Sequence, residues 1–507
     1  MALEIRTDQE RRLDARVLAD CGAEVRQPGY ERAERGVGIV HLGLGAFHRA
    51  HQAAYTDSAM AAFGGDWKIV GVSLRNSDVA YRLNPQDGLY TIAEMSDGVT
   101  NYRAVGSIER VLVAPEDPEA VLNAMCSPDC KIVSLTITEK GYCHDPATGK
   151  LNLDHPDVRH DLEQSSSPTT AVGFIVESLA ERRRNGLSPP TILCCDNLPS
   201  NGDTLRNLVL EFAALRDAEL ADWIRREVPF PNSMVDRIVP ATQPEDIEQL
   251  RITCGYVDNG MVKAEFFSQW VIEDRFVQGR PRWESVGVDM VEDVEPFEIA
   301  KLRLLNGSHS ALAYVGFLAG YEFVHEAVAD AEIGRFIEDL MHEEIIPTLA
   351  QPDGLDLHEY ADSLIERFAN PALRHRLHQI AMDGSQKLPQ RWLGTLRDRL
   401  HAGGSIEHLT LALAAWIRYV VGFDQNGVQI DVQDPLCASF HGILRHCTED
   451  GLINAERLVD EIFSINAVFG ADLQSNTSLK TGVVSWLSLL LANGVLTTLK
   501  LREALTK

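Results

Sequence analysis

Cysteine is scarce in this 507-residue chain, and its few copies follow no metal-binding pattern. Of the nine cysteines, Cys194 and Cys195 are adjacent, Cys126 and Cys130 are the next closest pair, and no Cys-x-x-C motif occurs. This spacing does not support a structural or catalytic zinc site. An odd number of scattered cysteines in a long chain indicates reduced thiols rather than a disulfide framework.

The chain also lacks an excess of basic residues and a long apolar run. Lys and Arg total 47 against 74 Asp and Glu, a formal net charge of −27. That field disfavours general binding to nucleic acid, and an anionic ligand would need a locally basic pocket. The charged N-terminal segment is unlike a secretory signal, and the apolar run near residues 483–496 is too short and interrupted to span a bilayer. We therefore expect a soluble, cytoplasmic protein without a membrane partner.

The length of the chain exceeds what one hydrophobic core usually serves, so two domains are expected. In the first part, short apolar runs such as Val37–Leu42 and Thr191–Cys195 alternate with helical patterns such as Ala171–Arg184. Strands spaced by helices predict a parallel sheet covered on both faces, the α/β class. From about Pro296 amphipathic helical patterns replace the strand signal, which places a boundary near residues 285–295.

A glycine turn follows the first predicted strand, within the segment His41–Ala50 (HLGLGAFHRA). Gly43 and Gly45 fit the first two glycines of a dinucleotide fingerprint, in which the backbone approaches a pyrophosphate at a helix N-terminus. His48 occupies the third position, so a turn kept for packing is the alternative. His48 and His51 lack a third ligand for a metal, and a packing or hydrogen-bonding role is favoured.

A carboxylate after the second strand would bind the adenosine ribose and exclude a 2′-phosphate. Asp78 follows the strand-like run Lys68–Leu74 and can serve in this way for NAD. Arg75 could instead favour NADP. Asp78 could also be a solvated surface carboxylate without a role in cofactor binding.

The segment Pro296–His309 places four polar side chains on one arc of a predicted helix. At roughly 100° per residue, Glu298, Lys301, Asn306 and His309 fall within about 140° of arc. A lysine made neutral by burial or by a positive neighbour can take the proton of a hydroxyl while a hydride leaves. An amide and an imidazole can hold the oxygen as it becomes alkoxide-like. A solvated face with a Glu298–Lys301 pair is the alternative.

Three further polar clusters are each ambiguous. Asn197 follows a predicted strand, in a stretch that could be a turn with a helix cap. Asp236 and Arg237 form a charged pair within an apolar frame and could be a structural ion pair. Lys387 lies in a basic loop, Asp383–Arg391, that could be an ordinary surface loop.

Together these segments resemble the polyol-specific long-chain dehydrogenases, a family that includes mannitol 2-dehydrogenases and the fructuronate and tagaturonate reductases. The resemblance runs from about residue 36 to the C-terminus. It is carried by GIVHLGLGAFHRAHQAAYTD, SLTITEKGYC, CDNLPSNG, MVDRIVP, WVIEDRFVQGRP, KLRLLNGSHSALAYVGFLAGY and AMDGSQKLPQR. It implies a dinucleotide-binding Rossmann-type domain at residues 1–290, a mainly α-helical substrate domain at residues 291–507, NAD as cofactor and no metal.

The resemblance also implies roles for individual residues. Lys301 is implied as the general base, and Glu298 as a proton-relay carboxylate. The implied contacts of the reacting oxygen are Asn306, His309 and Asn197. The implied cofactor contacts are Gly43, Gly45, Phe47 and Asp78. The implied substrate contacts are Asp236, Lys387, Arg376 and Lys140.

The substrate class is divided between two branches of that family. Lys140, the run Arg374–Arg376 and Gln379 resemble the fructuronate reductases, whose extra cations can pair with the carboxylate of a uronate. The stretches DNLPSNG and GVLTTLK resemble the mannitol branch instead. We expect a reductase that converts D-fructuronate to D-mannonate with NADH; a mannitol or related polyol 2-dehydrogenase and a tagaturonate reductase are the alternatives. A nucleotide-binding sensor without catalysis fits poorly with an intact Lys301, Asn306 and His309.

Overall fold

A computed structural model describes residues 11–96, 98–145, 148–424 and 427–506 of the chain. The chain forms two compact units, Met1–Glu295 and Pro296–Lys507. The first is an α/β unit and the second is mainly helical, which confirms the predicted fold class. In the described ranges, no helix combines the length and the apolar content needed to cross a bilayer.

The strands of the first unit are short. They are β1 (Val25–Arg26), β2 (Val37–Leu42), β3 (Lys68–Ser73), β4 (Tyr90–Ser96), β5 (Val99–Val105), β6 (Ile108–Val113), β7 (Ile132–Leu135), β8 (Thr191–Cys194), β9 (Ser233–Asp236), β10 (Val262–Glu265), β11 (Gln269–Glu273) and β12 (Asp289–Val291). Its α-helices are Ala15–Ala19, Ala46–Ala50, Gln52–Phe63, Asp78–Leu83, Pro118–Cys126, Pro156–Glu163, Ala171–Arg184, Asn201–Arg216, Ala218–Glu227 and Pro244–Cys254.

The central sheet of this unit has the strand order β6-β3-β2-β7-β8, and its neighbouring strands are parallel. Val40, Val70 and Val133 are almost completely buried, because helices cover a doubly wound sheet on both faces. The chain runs outward from β2 through β3 to β6 and then returns to β7 on the other side of β2. That reversal creates a switch point at the carboxyl ends of β2 and β7, the place where open α/β sheets bind ligands.

Two smaller sheets complete the unit, with orders β1-β5-β4-β10 and β12-β11-β9. The second contains an antiparallel pair in which Asp236, the last residue of β9, lies opposite Gln269 of β11. The sequence did not predict the strands of these two sheets.

The second unit is built from helices around a buried centre. Its α-helices are Glu295–Ala300 at the division, Ser308–Ala319, Val324–Ala329, Ala331–Asp339, Leu357–Phe368, Leu377–Ala381, Gly384–Leu388, Gly394–Ala402, Glu407–Val420, Cys437–Cys447, Ala455–Phe463, Asn466–Gln474, Thr477–Asn493 and Val495–Thr506. A short antiparallel pair, β13 (Thr448–Glu449) and β14 (Leu452–Ile453), lies among them. Ser308–Ala319 and Glu407–Val420 are buried along most of their length, as helices that are apolar on nearly every side must be.

Three segments of the helical unit are π-helical: Lys301–Gly307, Leu340–Ile345 and Pro389–Leu393. The first of them corrects the predicted α-helix of the segment Pro296–His309, because the α-helix ends at Ala300. Single π turns inside helices occur frequently at functional sites, since they re-aim side chains. Lys301–Gly307 and Pro389–Leu393 pack against each other.

Candidate active site

The two glycines of the predicted fingerprint differ in what surrounds them. Gly43 adopts φ +89°, and a Cβ there would lie 2.2 Å from the carbonyl oxygen of Thr136, in the loop after β7. Gly45 begins the helix Ala46–Ala50 with extended backbone, and a Cβ there would meet nothing nearer than the Gly43 oxygen at 3.9 Å. Gly43 therefore serves packing, whereas Gly45 leaves open space at the start of the helix, where a ligand can approach the backbone.

This contrast predicts opposite effects of two alanine substitutions. Gly43→Ala should destabilise the chain by about 2 kcal/mol or more, because the residue is strained at positive φ and its Cβ clashes with backbone. Gly45→Ala, the matched control, should change the free energy of unfolding by about 1 kcal/mol at most. Urea denaturation of both variants measures the difference, and equal stabilities would contradict the assignment.

Below the glycine turn lies a pair of buried imidazoles. His41 bonds Ser134 Oγ and Thr136 Oγ1, both at 2.8 Å, and its ring stacks on that of His48 with 3.4 Å between centroids. Burial lowers the pKa of His48 well below its usual value, so the ring is neutral. In the part of the chain that the structure describes, no group of three His, Cys, Asp or Glu side chains is placed to hold a metal ion. The observed stacking is a packing role for His48.

The other predicted cofactor contacts lie near this edge of the sheet. Phe47 is half-buried and stacks on His51, with 5.1 Å between ring centroids. Asp78 is exposed at the first position of the helix Asp78–Leu83, the first helix after β3. Arg75 is also exposed. The position of Asp78 after the strand next to β2 is the one that the ribose carboxylate of a dinucleotide fold requires.

A partly buried carboxylate to which the sequence analysis gave no role shapes the loops after β7 and β8. Asp196 accepts hydrogen bonds from the backbone N–H of Ile137 (2.8 Å) and Thr138 (2.9 Å), and from the hydroxyl of Tyr142 (2.5 Å). Burial raises the pKa of Asp196. Thr138 has φ +64°, an unusual conformation for a β-branched residue, and the carboxylate holds it there. The only signal for Asp196 in the sequence was its position beside Asn197.

The predicted substrate residues of the first unit lie on separate loops. Asn197 is exposed after β8, Asp236 is buried at the end of β9, and Lys140 is exposed in the 3₁₀ turn Glu139–Tyr142. Arg237 forms its ion pair with Glu94 at 2.9 Å. The roles of Asn197, Asp236 and Lys140 toward a substrate stay predictions.

In the second unit, the π turn changes which side chains share a face. A π-helix repeats its hydrogen bonds from residue i to i+5, so Lys301 and Asn306 lie one turn apart on the same side. An α-helix would set these two residues about 140° apart. Lys301 and Asn306 are half-buried, as is Glu298 in the preceding α-helical turn. The π turn therefore reduces the angle about the helix axis between the predicted base and the predicted amide, compared with the α-helix that the sequence predicted.

Two residues from a distant segment cap this turn. Arg391 donates to the carbonyl oxygen of Asn306 (3.3 Å) and to Ser310 Oγ (2.7 Å), and Trp392 Nε1 donates to the carbonyl oxygen of Gly307 (2.9 Å). A Cβ at Gly307 would lie 3.2 Å from the carbonyl oxygen of Arg391. Glycine at position 307 therefore has a packing reason, since a side chain there would press on the backbone of Arg391.

Unpartnered polar atoms mark this side of the helical unit. Asn306 Oδ1 and His309 Nε2 are buried, and neither has a hydrogen-bond partner among the described residues. The ring of His309 stacks on Phe368 at 5.1 Å and meets His375 edge-on at 5.0 Å. Buried polar atoms in folded proteins nearly always have a hydrogen-bond partner. A bound ligand that contacts these two atoms would supply the missing partners.

The charged side chains near His309 are basic. Burial lowers the pKa of His309 well below its usual value, so its imidazole is neutral at neutral pH. Neighbouring groups lower that pKa further: His375, Arg391, Arg367 and Lys387. A locally basic site thus exists inside a chain whose net charge is −27.

Lys387 belongs to this basic region, but Arg376 does not join it. The amine of Lys387 donates to the carbonyl oxygens of Ile380 (3.3 Å) and Met382 (2.5 Å), which fixes it beside the helix start at Gly384. Arg376 is exposed and pairs with Glu322 at 2.8 Å. The structure therefore gives Arg376 a surface ion pair, and its predicted substrate contact has no support from its position.

Known proteins match both units. The sequence profile of the mannitol dehydrogenase Rossmann domain matches residues 37–285, and that of the mannitol dehydrogenase C-terminal domain matches residues 293–490. A D-mannonate oxidoreductase of Escherichia coli is 46% identical over 90% of this chain and 94% of its own length. A mannitol 2-dehydrogenase of Pyricularia oryzae is 40% identical over 96% of this chain and 98% of its own.

A solved structure agrees with these relatives. The mannitol 2-dehydrogenase of Pseudomonas fluorescens, in a ternary complex with NAD and D-mannitol, is 40% identical and superposes with a TM-score of 0.85, covering 98% of this chain and 100% of its own. The chain belongs to the mannitol dehydrogenase family and is an oxidoreductase that acts on CH–OH groups.

Proposed function

We propose that this chain is an NAD-dependent D-fructuronate reductase that forms D-mannonate, with Lys301 as the acid–base residue. The observation that carries the choice of a sugar acid is the basic surrounding of His309, to which Lys387, Arg391 and Arg367 contribute. A carboxylate-bearing substrate forms ion pairs as well as hydrogen bonds with such groups, whereas a neutral polyol forms hydrogen bonds alone. The identity shared with the Escherichia coli D-mannonate oxidoreductase supports the same choice.

The cofactor is NAD. The open space at Gly45 supports pyrophosphate binding at the helix start, and the exposed carboxylate of Asp78 after β3 supports binding of the ribose hydroxyls and exclusion of a 2′-phosphate. The relative from Pseudomonas fluorescens holds NAD in its ternary complex. When bound, NAD exchanges a hydride with the reacting carbon of the sugar.

The proton is handled by the chain itself. In reduction, the ammonium of Lys301 donates a proton to the ketone oxygen as that carbon gains its hydride; in oxidation, the neutral amine takes the hydroxyl proton back. The amide of Asn306 can present N–H or C=O to the same oxygen by rotation about its last bond, and neutral His309 offers a second ring nitrogen. Glu298, one α-helical turn before Lys301, passes the proton onward.

An NADH-consumption assay with D-fructuronate, D-tagaturonate and D-fructose side by side tests this proposal. We expect kcat/KM for D-fructuronate to exceed that for D-fructose by at least about tenfold, the effect of about 1.4 kcal/mol from one charge-assisted contact. Because exposed charges are screened by salt, the preference should persist at 0.5 M NaCl only if the cations are buried around the acid group. A preference for D-fructose would establish a mannitol 2-dehydrogenase instead.

A further inference from the structure

His375 lies in the loop between the helices Leu357–Phe368 and Leu377–Ala381. Its neighbours alternate in exposure: Arg374 and Arg376 are exposed, whereas His375 is half-buried and Leu377 is buried. The backbone is fixed here, because the His375 carbonyl accepts from Val324 N–H (3.0 Å) and Arg376 bridges to Phe323. Arg374 has a positive φ of +42°, and within this turned segment His375 is half-buried while the arginines on either side of it are exposed.

The inward imidazole meets the proposed reaction centre. Its ring packs edge-on against His309 with 5.0 Å between centroids and 67° between planes. Nδ1 of His375 is buried and has no hydrogen-bond partner in the described ranges. Three buried polar atoms without partners therefore lie in one neighbourhood: Asn306 Oδ1, His309 Nε2 and His375 Nδ1.

A packing role alone does not explain this ring. Phenylalanine would supply the same edge-on contact without burying a nitrogen, whose desolvation is costly when it is left unpaired. Burial, and then the charge of Lys387, lower the pKa of His375, so its ring is neutral. A neutral imidazole has one N–H donor and one acceptor, which suits the oxygens of a sugar acid.

We propose that His375 is a substrate-binding residue whose Nδ1 hydrogen-bonds an oxygen of the sugar held at Asn306 and His309. The inference rests on the proposed function, because it takes the ligand of this cluster to be the sugar. It adds a contact beside His309, whose ring also stacks on Phe368. The substrate contact of Arg376 stays a separate prediction.

Two substitutions distinguish the contribution of the His375 nitrogen from that of its ring packing. His375→Phe keeps the edge-on contact and removes Nδ1, and His375→Asn keeps a polar group of similar reach. We expect His375→Phe to lower kcat/KM for the best sugar by about 10- to 100-fold, mainly through KM, the effect of losing one hydrogen bond to a polar or charged group. His375→Asn should recover part of that loss. The dissociation constant for NADH should stay unchanged in both variants.

His378 provides the matched control. Its Nδ1 bonds the hydroxyl of Tyr419 at 3.2 Å and its ring lies against Phe317, so it is a nearby histidine with a structural partner. His378→Asn should leave the ratio of kcat/KM values among the three sugars unchanged. An equal loss in His375→Phe and His378→Asn, or a wild-type kcat/KM in His375→Phe, would overturn the proposal.

Nuclear magnetic resonance of ¹⁵N-histidine separates this inference from the proposed function. The ring signals of His375, assigned from their loss in His375→Asn, should shift when D-mannonate is added to the complex with NAD. If D-fructose rather than D-fructuronate is the best substrate, the proposed function fails, and the same variants and the shift with D-mannitol still decide the role of His375. If no sugar or polyol moves these signals, the inference on His375 is wrong whichever substrate is turned over.

Discussion

Replacing Lys301 by alanine should lower kcat in both directions by about 10²- to 10⁴-fold, the usual contribution of a positioned acid–base group. The hydride can still be exchanged, but the proton on the substrate oxygen then has to come from or go to water. Because Lys301 lies in the helical unit and the glycine turn lies in the α/β unit, the dissociation constant for NADH should change little. Stopped-flow measurement of NADH oxidation and fluorescence titration with NADH test the two parts.

A matched lysine checks that the loss is local. Lys480 is half-buried in the same unit and pairs with Asp460 at 2.8 Å, away from the π turn in sequence. Lys480→Ala should retain wild-type kcat. Small primary amines should restore part of the activity of Lys301→Ala, since they supply the missing proton carrier, and they should leave Lys480→Ala unaffected. Turnover by Lys301→Ala within a factor of about three of the wild type would remove Lys301 from the mechanism.

The first unit could be predicted from local patterns because its central strands are buried on both faces. Val37–Leu42 and Ala171–Arg184 occupy the predicted bounds, since a continuous apolar run and an amphipathic helix ending before Asn-Gly are both local signals. The strands Ser233–Asp236 and Gln269–Glu273 were missed. They have only four and five residues, and their pairing partners lie more than thirty positions apart, which no short window reports.

The polar residues of the segment Pro296–His309 were identifiable from the sequence, but their arrangement was not. A sequence shows that Lys301, Asn306 and His309 are polar positions among leucines, and it favours an α-helix at 100° per residue. The π turn depends instead on Arg391 and Trp392, which lie 85 positions away from the carbonyl oxygens that they cap. A long-range contact of this kind leaves no periodic signal, so the α-helical projection set Asn306 about 140° from Lys301, whereas the π turn brings the two residues to one side.

His375 illustrates a related limit. The run Arg374–Arg376 was read for its two cations, because positive charge is what a uronate carboxylate attracts. In the structure Arg374 and Arg376 are exposed, and the histidine between them faces His309. Which member of a short polar run points inward depends on backbone pairing with Phe323, which the composition of the run does not encode.

Asn306→Ala should lower kcat by about 10²- to 10³-fold, the cost of removing one donor to a developing oxyanion. The substitution removes only the side-chain amide, because Arg391 caps the backbone carbonyl of residue 306 and Trp392 caps that of Gly307. The π turn should therefore persist, and the unfolding midpoint should stay within about 2 °C of the wild type. Since the amide acts most strongly when charge develops on the oxygen, KM should change less than kcat.

The control for this variant is Asn466→Ala. Asn466 is exposed at the start of the helix Asn466–Gln474 in the same unit, and its side chain meets only Gln474 at 3.5 Å among the described contacts. Its loss should leave kcat and KM unchanged. If Asn306→Ala raises KM and leaves kcat intact, the amide binds the ground state rather than the developing charge. The orphaned oxygen of Asn306 would then belong to sugar recognition, together with His375, and Lys301 and His309 alone would act on the reacting oxygen.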